Sequence, residues 1–378
     1  MKKEENLLKN WLINFKNTDY FFLELTLALV LIGLIFAITS STHESFRLTN
    51  NFLTLGLKQL VAFVIGLFLL VFFWSVNYKF WYHATWYLTV PTFIIMLITA
   101  FSSLGKSSGG SSRWLDLGMF QFQPAEIAKL SVILLISRFL TSHKWNEFKS
   151  YYYFAVCFAL IFIIFKQPDL GSAGLLVIVL FQMLFLFNYP VWILLPLVLT
   201  TALLAFTKIM STPYQLARIA SWLHPELDPQ KTGYNSIQAK YALAFGGLFG
   251  AGLGNSIQKQ GNLPIPHSDF IFSVIAEEIG FLGVTAILIL YITWIIRGFF
   301  LVSRVKEKFG LILGNGIILL IGTQAVINIL VAVGLLPVTG VTLPFFSCGG
   351  TSLIVSLGMC GILFNIIGNR IPNKSLST

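Results

Sequence analysis

The sequence predicts an all-α polytopic membrane protein, and three observations carry that prediction. Hydrophobic residues make up 56% of the 378-residue chain and charged residues only 11%, whereas soluble domains carry about 25% charged residues. The mean hydropathy is +0.81. Apolar runs approaching or exceeding the ~20 residues that cross a bilayer recur along the whole chain. About ten such runs are expected, at 21–40, 57–76, 83–102, 124–141, 150–165, 170–188, 190–208, 269–298, 310–335 and 350–368, with boundaries good to about two to four residues.

Taken in order, residues 1–20 place Leu8, Trp11, Leu12 and Phe15 on one helical face with lysines elsewhere. They read as a cytoplasmic interfacial segment or as a frayed tail. The following residues, 21–368, read as a single membrane domain. The first three spans precede a loop at 103–123, expected to be flexible from Ser107 to Ser112 and then specific in Arg113-Trp114-Leu115-Asp116. Pro124, with Gln123 before it, marks the start of the fourth helix. The fifth and sixth spans are separated only by Lys166-Gln167-Pro168-Asp169, which leaves one broken helix as an alternative to two. After the seventh span a long loop, about 209–268, carries an amphipathic segment (Tyr214 to Leu223), a turn-rich patch (Pro225 to Gly233) and a glycine run from Gly246 to Gly254. That run reads as a close-packed or re-entrant segment covered by protein. A Gly/Pro-interrupted stretch, Thr339 to Ser352, precedes the last span, and 369–378 form a tail.

Lys and Arg set the orientation. Lys2, Lys3, Lys9, Lys16, Lys79, Arg138, Lys144, Lys149, Arg297, Arg304, Lys306, Lys308, Arg370 and Lys374 all fall on the side of the N-terminus. Both termini are therefore expected in the cytoplasm, with a large extracytoplasmic loop between helices 7 and 8. The net charge of +10 then reports topology and contact with anionic membrane lipid, not nucleic acid. No cleavable signal peptide is expected, since the first apolar run lacks a clear small-residue cleavage site.

Several function classes are excluded. Gly105-Lys106-Ser107 lacks the first glycine of a phosphate loop, because position 100 is Ala100, and it follows a membrane span. The run at 246–254 does not match GxGxxG and has no βαβ context. No nucleotide is therefore expected. Cys157, Cys348 and Cys360 have no paired spacing and read as free thiols. The five histidines are isolated, so no zinc site is expected.

What remains is a set of ionisable groups in or beside apolar sequence: Glu24, Glu126 with Lys129, Asp169, Asp269, and Glu277–Glu278. A charge at mid-bilayer costs about 2.5–3.5 kcal/mol on insertion scales, so such residues point to an intramembrane site. Glu126 and Lys129 share a helical face; they line a cavity as an ion pair or serve as a structural salt bridge. Asp169 caps the next helix or partners Lys129 or Lys166. Asp269, after His267 and Ser268, enters a helix from the long loop, where it or Ser268 caps that helix or a carboxylate works as a base. Glu277 and Glu278, about 12 Å deeper on a continuous helix, are expected to bond neighbouring helices. Trp114 is an aromatic-belt residue or a platform for a sugar or lipid tail, with Arg113 on a phosphate. Arg218 is a second arginine suited to pyrophosphate. The stretch containing Ser347, Gly349 and Gly350 is a substrate cradle or a tight turn.

The strings RWLDLGMFQFQPAEIAK, KQPDLGSA, GGLFGAGLGNSIQK, PIPHSDFIFSVIAEEIGFLG and LPVTGVTLPFFSCGGTSL resemble the signature segments of the SEDS family, typified by RodA and FtsW. They run in family order over nearly the whole chain, and GNSIQK and GVTLPFFS resemble the cell-division branch. The resemblance implies a ten-helix membrane glycosyltransferase that polymerises lipid II into peptidoglycan strands on the outer face during septal synthesis. Undecaprenyl pyrophosphate would leave, and a class B penicillin-binding protein and other divisome proteins would be partners. By motif, Asp269 matches the family's essential aspartate. Trp114, Glu126, Lys129 and Asp169 match positions tied to activity or cavity integrity. The sequence departs from the family pattern at Cys348, Ser268 and Ile265, which puts fine substrate contacts in doubt. A divalent cation such as Mg or Mn is compatible with pyrophosphate departure, though no ligand set is visible. An elongation role, a lipid II flippase and a recruiting scaffold are the alternatives.

Overall fold

The computed structural model describes residues 17–101, 105–108, 111–116, 121–142, 151–167 and 169–370. The interfacial segment expected around Leu8 to Phe15 and the tail beyond Arg370 lie outside them.

The chain opens with three long helices, α1 (Tyr20–Thr49), α2 (Thr54–Ser75) and α3 (Lys79–Phe101). Each is a run of apolar side chains in which the helix alone satisfies the backbone, as hydrocarbon requires. Three short strands follow: β1 (Gly105–Ser108), β2 (Ser111–Asp116) and β3 (Gln121–Phe122), forming one antiparallel sheet in the order β1-β2-β3. The chain is otherwise helical, so the expected all-α class holds except for this small sheet, which lies in the loop expected at 103–123.

The next four helices are α4 (Pro124–Ser142), α5 (Tyr151–Lys166), α6 (Leu170–Leu186) and α7 (Val191–Ser211). The polar knot between α5 and α6 separates two helices. Asp169 caps α6 by accepting from Ser172 N at 3.1 Å. Gln167 Nε2 ties the turn to α3 through Met96 O (3.0 Å) and Thr99 Oγ1 (2.8 Å). The long segment after α7 folds into α8 (Pro213–Leu223) and α9 (Tyr234–Gly246), and α10 (Ile271–Val302), α11 (Lys308–Ala332) and α12 (Gly350–Gly368) complete the chain.

Among the described residues seven helices are long and apolar enough to cross a membrane: α1, α2, α3, α7, α10, α11 and α12. Helices α5 and α6 are apolar but shorter, and α4 carries Glu126, Lys129 and Arg138. Helices α11 and α12 form the centre, with 78% and 83% of their apolar windows buried, while α7 at 6% is peripheral. Helix α12 lies so close to α2 that a Cβ on Gly361 would collide with the Leu70 backbone. One end of the bundle is closed by Asp19, which caps α1 at Phe22 N and binds Arg297 at the end of α10 at 2.6 Å. Glu24, one turn further on, is exposed and takes no part in the groupings described below.

Helix α10 is not the continuous rod expected over 269–298. At Gly280 the backbone turns to φ 67°, ψ −172°, a region open essentially to glycine alone. The glycine run at 246–254 fills the break. Ala251 N and Gly252 N donate to Glu277 O and Glu278 O (2.8 and 2.9 Å). Phe281 N and Leu282 N donate to Gly247 O and Leu248 O (2.9 and 3.2 Å). The close-packed reading of that run is thus realised as four backbone bonds that replace those the helix forgoes.

Candidate functional site

The site is built at the end of the bundle opposite the Asp19 clamp, where α4 and α12 begin and α11 ends. Glu126 lies in the first turn of α4, and its Oε1 accepts from Lys129 Nζ at 2.8 Å, with the residues 4% and 1% exposed. Lys129 Nζ also donates to Gln324 Oε1 on α11 at 3.1 Å. Gln324 Nε2 in turn donates to both the carbonyl and Oγ1 of Thr342, each at 3.0 Å. Thr342 Oγ1 shares a 3.0 Å bond with Ser352 Oγ on α12. A buried ion pair gains its keep only when its remaining donors and acceptors are met; here the chain continues through three more side chains.

One turn along α11 from Gln324 stands Asn328, 1% exposed. Its Nδ2 donates to Val341 O at 2.8 Å and to the Asp269 carbonyl at 3.1 Å. Two polar amides four residues apart on an otherwise apolar span are a legible sign of a packed polar face, yet sequence reasoning passed over Gln324, Asn328, Thr342 and Ser352.

Asp269 sits half-buried in the turn before α10. The cap position of α10 is Phe270, with no side-chain cap bond. The cap position therefore falls one residue after Asp269 and two after Ser268. Ser268 Oγ donates to Asp269 Oδ1 at 3.0 Å. The turn is sewn to the segment before α12: Ser347 Oγ donates to Ser268 O (2.7 Å) and Cys348 N to His267 O (2.7 Å). Ser347 Oγ also accepts from Leu343 N at 2.8 Å, and Gln59 Nε2 on α2 donates to Ser347 O at 3.2 Å. The Ser347, Gly349 and Gly350 stretch is thus joined to the turn that carries Asp269 by one side-chain and one backbone bond, at Ser268 and His267. His267 Nδ1 is enclosed without a hydrogen-bond partner. Burial holds the imidazole below its ordinary pKa, against a smaller opposing pull from Glu44.

An apolar cavity of about 260 Å³ opens beside this end, between α2, α3, α4 and α12. Ile65, Leu69, Phe73, Leu130 and Ile354 line its length, and Gln121, Gly350 and Thr351 supply its polar rim. Thr351 Oγ1 donates to Gln121 O at 3.2 Å, tying the small sheet to α12.

The other expected residues are distributed around this centre. Trp114 is half-buried on β2, where its Cα pairs with that of Lys106; Arg113 precedes it on the same strand. Arg218 on α8 stacks over Tyr214 (4.7 Å) and donates from Nη1 to Val338 O at 3.1 Å, just ahead of the loop that holds Asp269. Asp169, buried at the α5–α6 turn, caps α6, the first of the two roles expected of it.

Glu277 and Glu278 bond the long loop and not neighbouring helices, which corrects that expectation. Glu277 accepts from Ser256 Oγ (2.5 Å) and Ile257 N (2.9 Å). Glu278 pairs with Lys259 at 2.6 Å, with their side chains 0% and 6% exposed. The partners differ from those expected because the loop enters at Gly280 and brings its own donors. Among the described residues no three His, Cys, Asp or Glu side chains converge as a metal site, and the three cysteines are free thiols.

Against known proteins, the family model described as "Cell cycle protein", spanning FtsW, RodA and SpoVE, matches residues 20–370. Stage V sporulation protein E of Bacillus subtilis is 35% identical over 357 residues, covering 92% of this chain and 96% of that protein. A probable peptidoglycan glycosyltransferase FtsW of Aliivibrio salmonicida is 33% identical over 349 residues, with 90% and 87% covered. Among solved structures, a chain of a peptidoglycan synthase complex, described as coordinating polymerization and crosslinking, superposes with a TM-score of 0.76 at 28% identity, covering 94% of this chain and 99% of that one. The rod shape determining protein RodA of Thermus thermophilus gives 0.69 at 25% identity, with 94% and 98% covered.

Proposed function

This chain belongs to the FtsW, RodA and SpoVE family of cell cycle proteins, the SEDS family, and from that premise we propose that it is a peptidoglycan glycosyltransferase polymerising lipid II at the outer membrane face. The observation that carries the proposal is Asp269: a half-buried carboxylate in the turn before α10, a turn sewn to the loop that leads to an apolar groove. The groove suits a polyprenyl tail, and the polar rim and Asp269 turn suit the sugar and pyrophosphate. Ten passes with both termini cytoplasmic accord with the positive-inside distribution of Lys and Arg. Seven long apolar helices among the described residues, beside α4, α5 and α6, support that reading.

In this reading Asp269 accepts the proton of the acceptor 4-hydroxyl as its oxygen attacks C1 of the donor sugar. The C1–O bond to pyrophosphate breaks, and undecaprenyl pyrophosphate leaves with the bonding pair. Such base catalysis contributes about 10²–10⁴-fold. Arg113 and Arg218 would meet the phosphates, and Trp114 would present a ring to a sugar or tail. Lys129, already bound to Glu126 and Gln324, acts by fixing the floor of the site and by its charge. Among the described residues no three His, Cys, Asp or Glu side chains form a cage for Mg or Mn. Septal synthesis beside a class B penicillin-binding protein and other divisome proteins completes the proposal. The likeness to the FtsW relative and to the synthase complex supports it.

The test is lipid II polymerisation by the purified protein with its class B partner acylated by a β-lactam, comparing wild type with Asp269→Ala. Polymer from wild type and none from a folded variant is expected. Polymer from both would remove Asp269 from the mechanism. Polymer from neither, with lipid II crossing vesicle membranes, would replace the reading with a flippase.

A further inference from the structure

Asn328 is positioned to do more than join two helices. Its amide has two N–H donors, and both are used, on the carbonyls of Asp269 and Val341. Rotating the amide by half a turn would set Oδ1 against those two carbonyl oxygens, so the observed orientation is the one the site permits. Its Oδ1 is buried without a protein partner. One turn below, Gln324 grips Lys129 and Thr342 in the same way. The rise between the two amides is about 6 Å. The base-bearing turn and the buried cation are therefore referenced to one rigid face of α11, through neighbours that include residues 341 and 342 of a single loop.

We propose that Asn328 is a positioning residue for the transferase reaction: its doubly donating amide clamps the Asp269 backbone to the 341–347 loop and so fixes the carboxylate toward the acceptor hydroxyl. This rests on the reading of Asp269 as the base. The clamp acts on the backbone of Asp269, whose side chain accepts from the Ser268 hydroxyl. Freeing that backbone lets the carboxylate drift by the order of an ångström, and misplacement on that scale costs about 10²-fold in rate. Substrate affinity, set by the groove and the phosphate contacts, is left nearly unchanged. The introduced acid in Asn328→Asp is isosteric but offers one N–H-like donor when neutral and none when ionised. That variant acquires a pH dependence the wild type lacks.

The experiment measures lipid II polymerisation by the full chain with its acylated partner. Wild type, Asn328→Ala, Asn328→Asp and Asp269→Ala are compared, each normalised to folded protein by its melting transition. The expected result is a kcat lower by about 10²-fold in Asn328→Ala with KM within about threefold. Asn328→Asp is expected to lose rate toward alkaline pH where wild type holds level. A wild-type kcat per folded molecule in both Asn328 variants would overturn the proposal. A loss of kcat with no new alkaline limb in a folded Asn328→Asp, or a rise in KM alone, would also overturn it. If Asn328→Ala does not fold, Asn328→Asp decides alone through its pH profile. Asp269→Ala retaining wild-type activity would instead refute the underlying assignment of the base.

Discussion

Removing Lys259 is the sharpest test of how the long loop is held. Its ammonium lies 2.6 Å from Glu278 Oε1, with the two side chains 6% and 0% exposed. Taking away one member of such a pair leaves an uncompensated buried charge and costs about 3–5 kcal/mol, while replacing both with apolar groups of similar volume is about neutral or stabilising. Lys259→Met should therefore destabilise by about 3–5 kcal/mol, Glu278→Leu by a similar amount, and the double variant by far less than their sum. The loss is local, because the pair ties the 256–259 turn to α10. Amides of Ile257 and Gln258, which donate to Glu277, should exchange with deuterium about 10²–10³-fold faster in Lys259→Met, at one factor of ten per 1.4 kcal/mol. Melting of the purified protein gives the global effect and exchange mass spectrometry the local one. Acceleration below about threefold in the single variant, or strict additivity in the double, would refute the argument that this ion pair anchors the loop.

Three further outcomes are expected. Gly280→Ala forces a side chain into a glycine-only backbone conformation, where its Cβ would collide with the Gly250 and Phe249 backbone. A loss of at least about 1–3 kcal/mol from strain alone should lower the melting temperature. His267, whose pKa is held below its ordinary value by burial, takes up its proton more readily when unfolded. Stability should fall as pH drops below about 6.5 and continue falling to the depressed folded pKa, and His267→Asn should flatten that slope in melts recorded between about pH 5 and 8. Gln324→Leu strips Lys129 of its second partner and leaves the Thr342 carbonyl without its donor. An unsatisfied buried group costs about 1–3 kcal/mol, so a lower melting temperature and reduced polymerisation per folded molecule are expected.

Much of this was legible in the residues, and the limits were physical. The apolar runs located the helices because a bilayer leaves the backbone no other economy, and the i, i+3 spacing of Glu126 and Lys129 placed their contact correctly. Asp169 was legible as a cap because its turn is local. The strand pairing of Lys106 with Trp114 was less visible, since Ser-rich strands carry no hydrophobic alternation. The partners of Glu277 and Glu278 were hidden for a different reason. Periodicity describes an unbroken helix, and the break at Gly280 depends on a segment some thirty residues earlier in the chain. Gln324 and Asn328 had a signal, amides at helical spacing in an apolar span, which was overlooked because attention went to formal charge.

The break in α10 has a mechanical consequence. The helix beyond it, 281–302, rises about 33 Å, a full hydrocarbon thickness by itself, so the short helix 271–279 that carries the Asp269 turn is not needed to cross the membrane. Membrane helices answer changes in bilayer thickness by tilting. A joint at Gly280, splinted by four main-chain bonds to the 247–252 segment, therefore divides the labour of α10: one rod is long enough to answer to the bilayer, and the other answers to the protein that grips it.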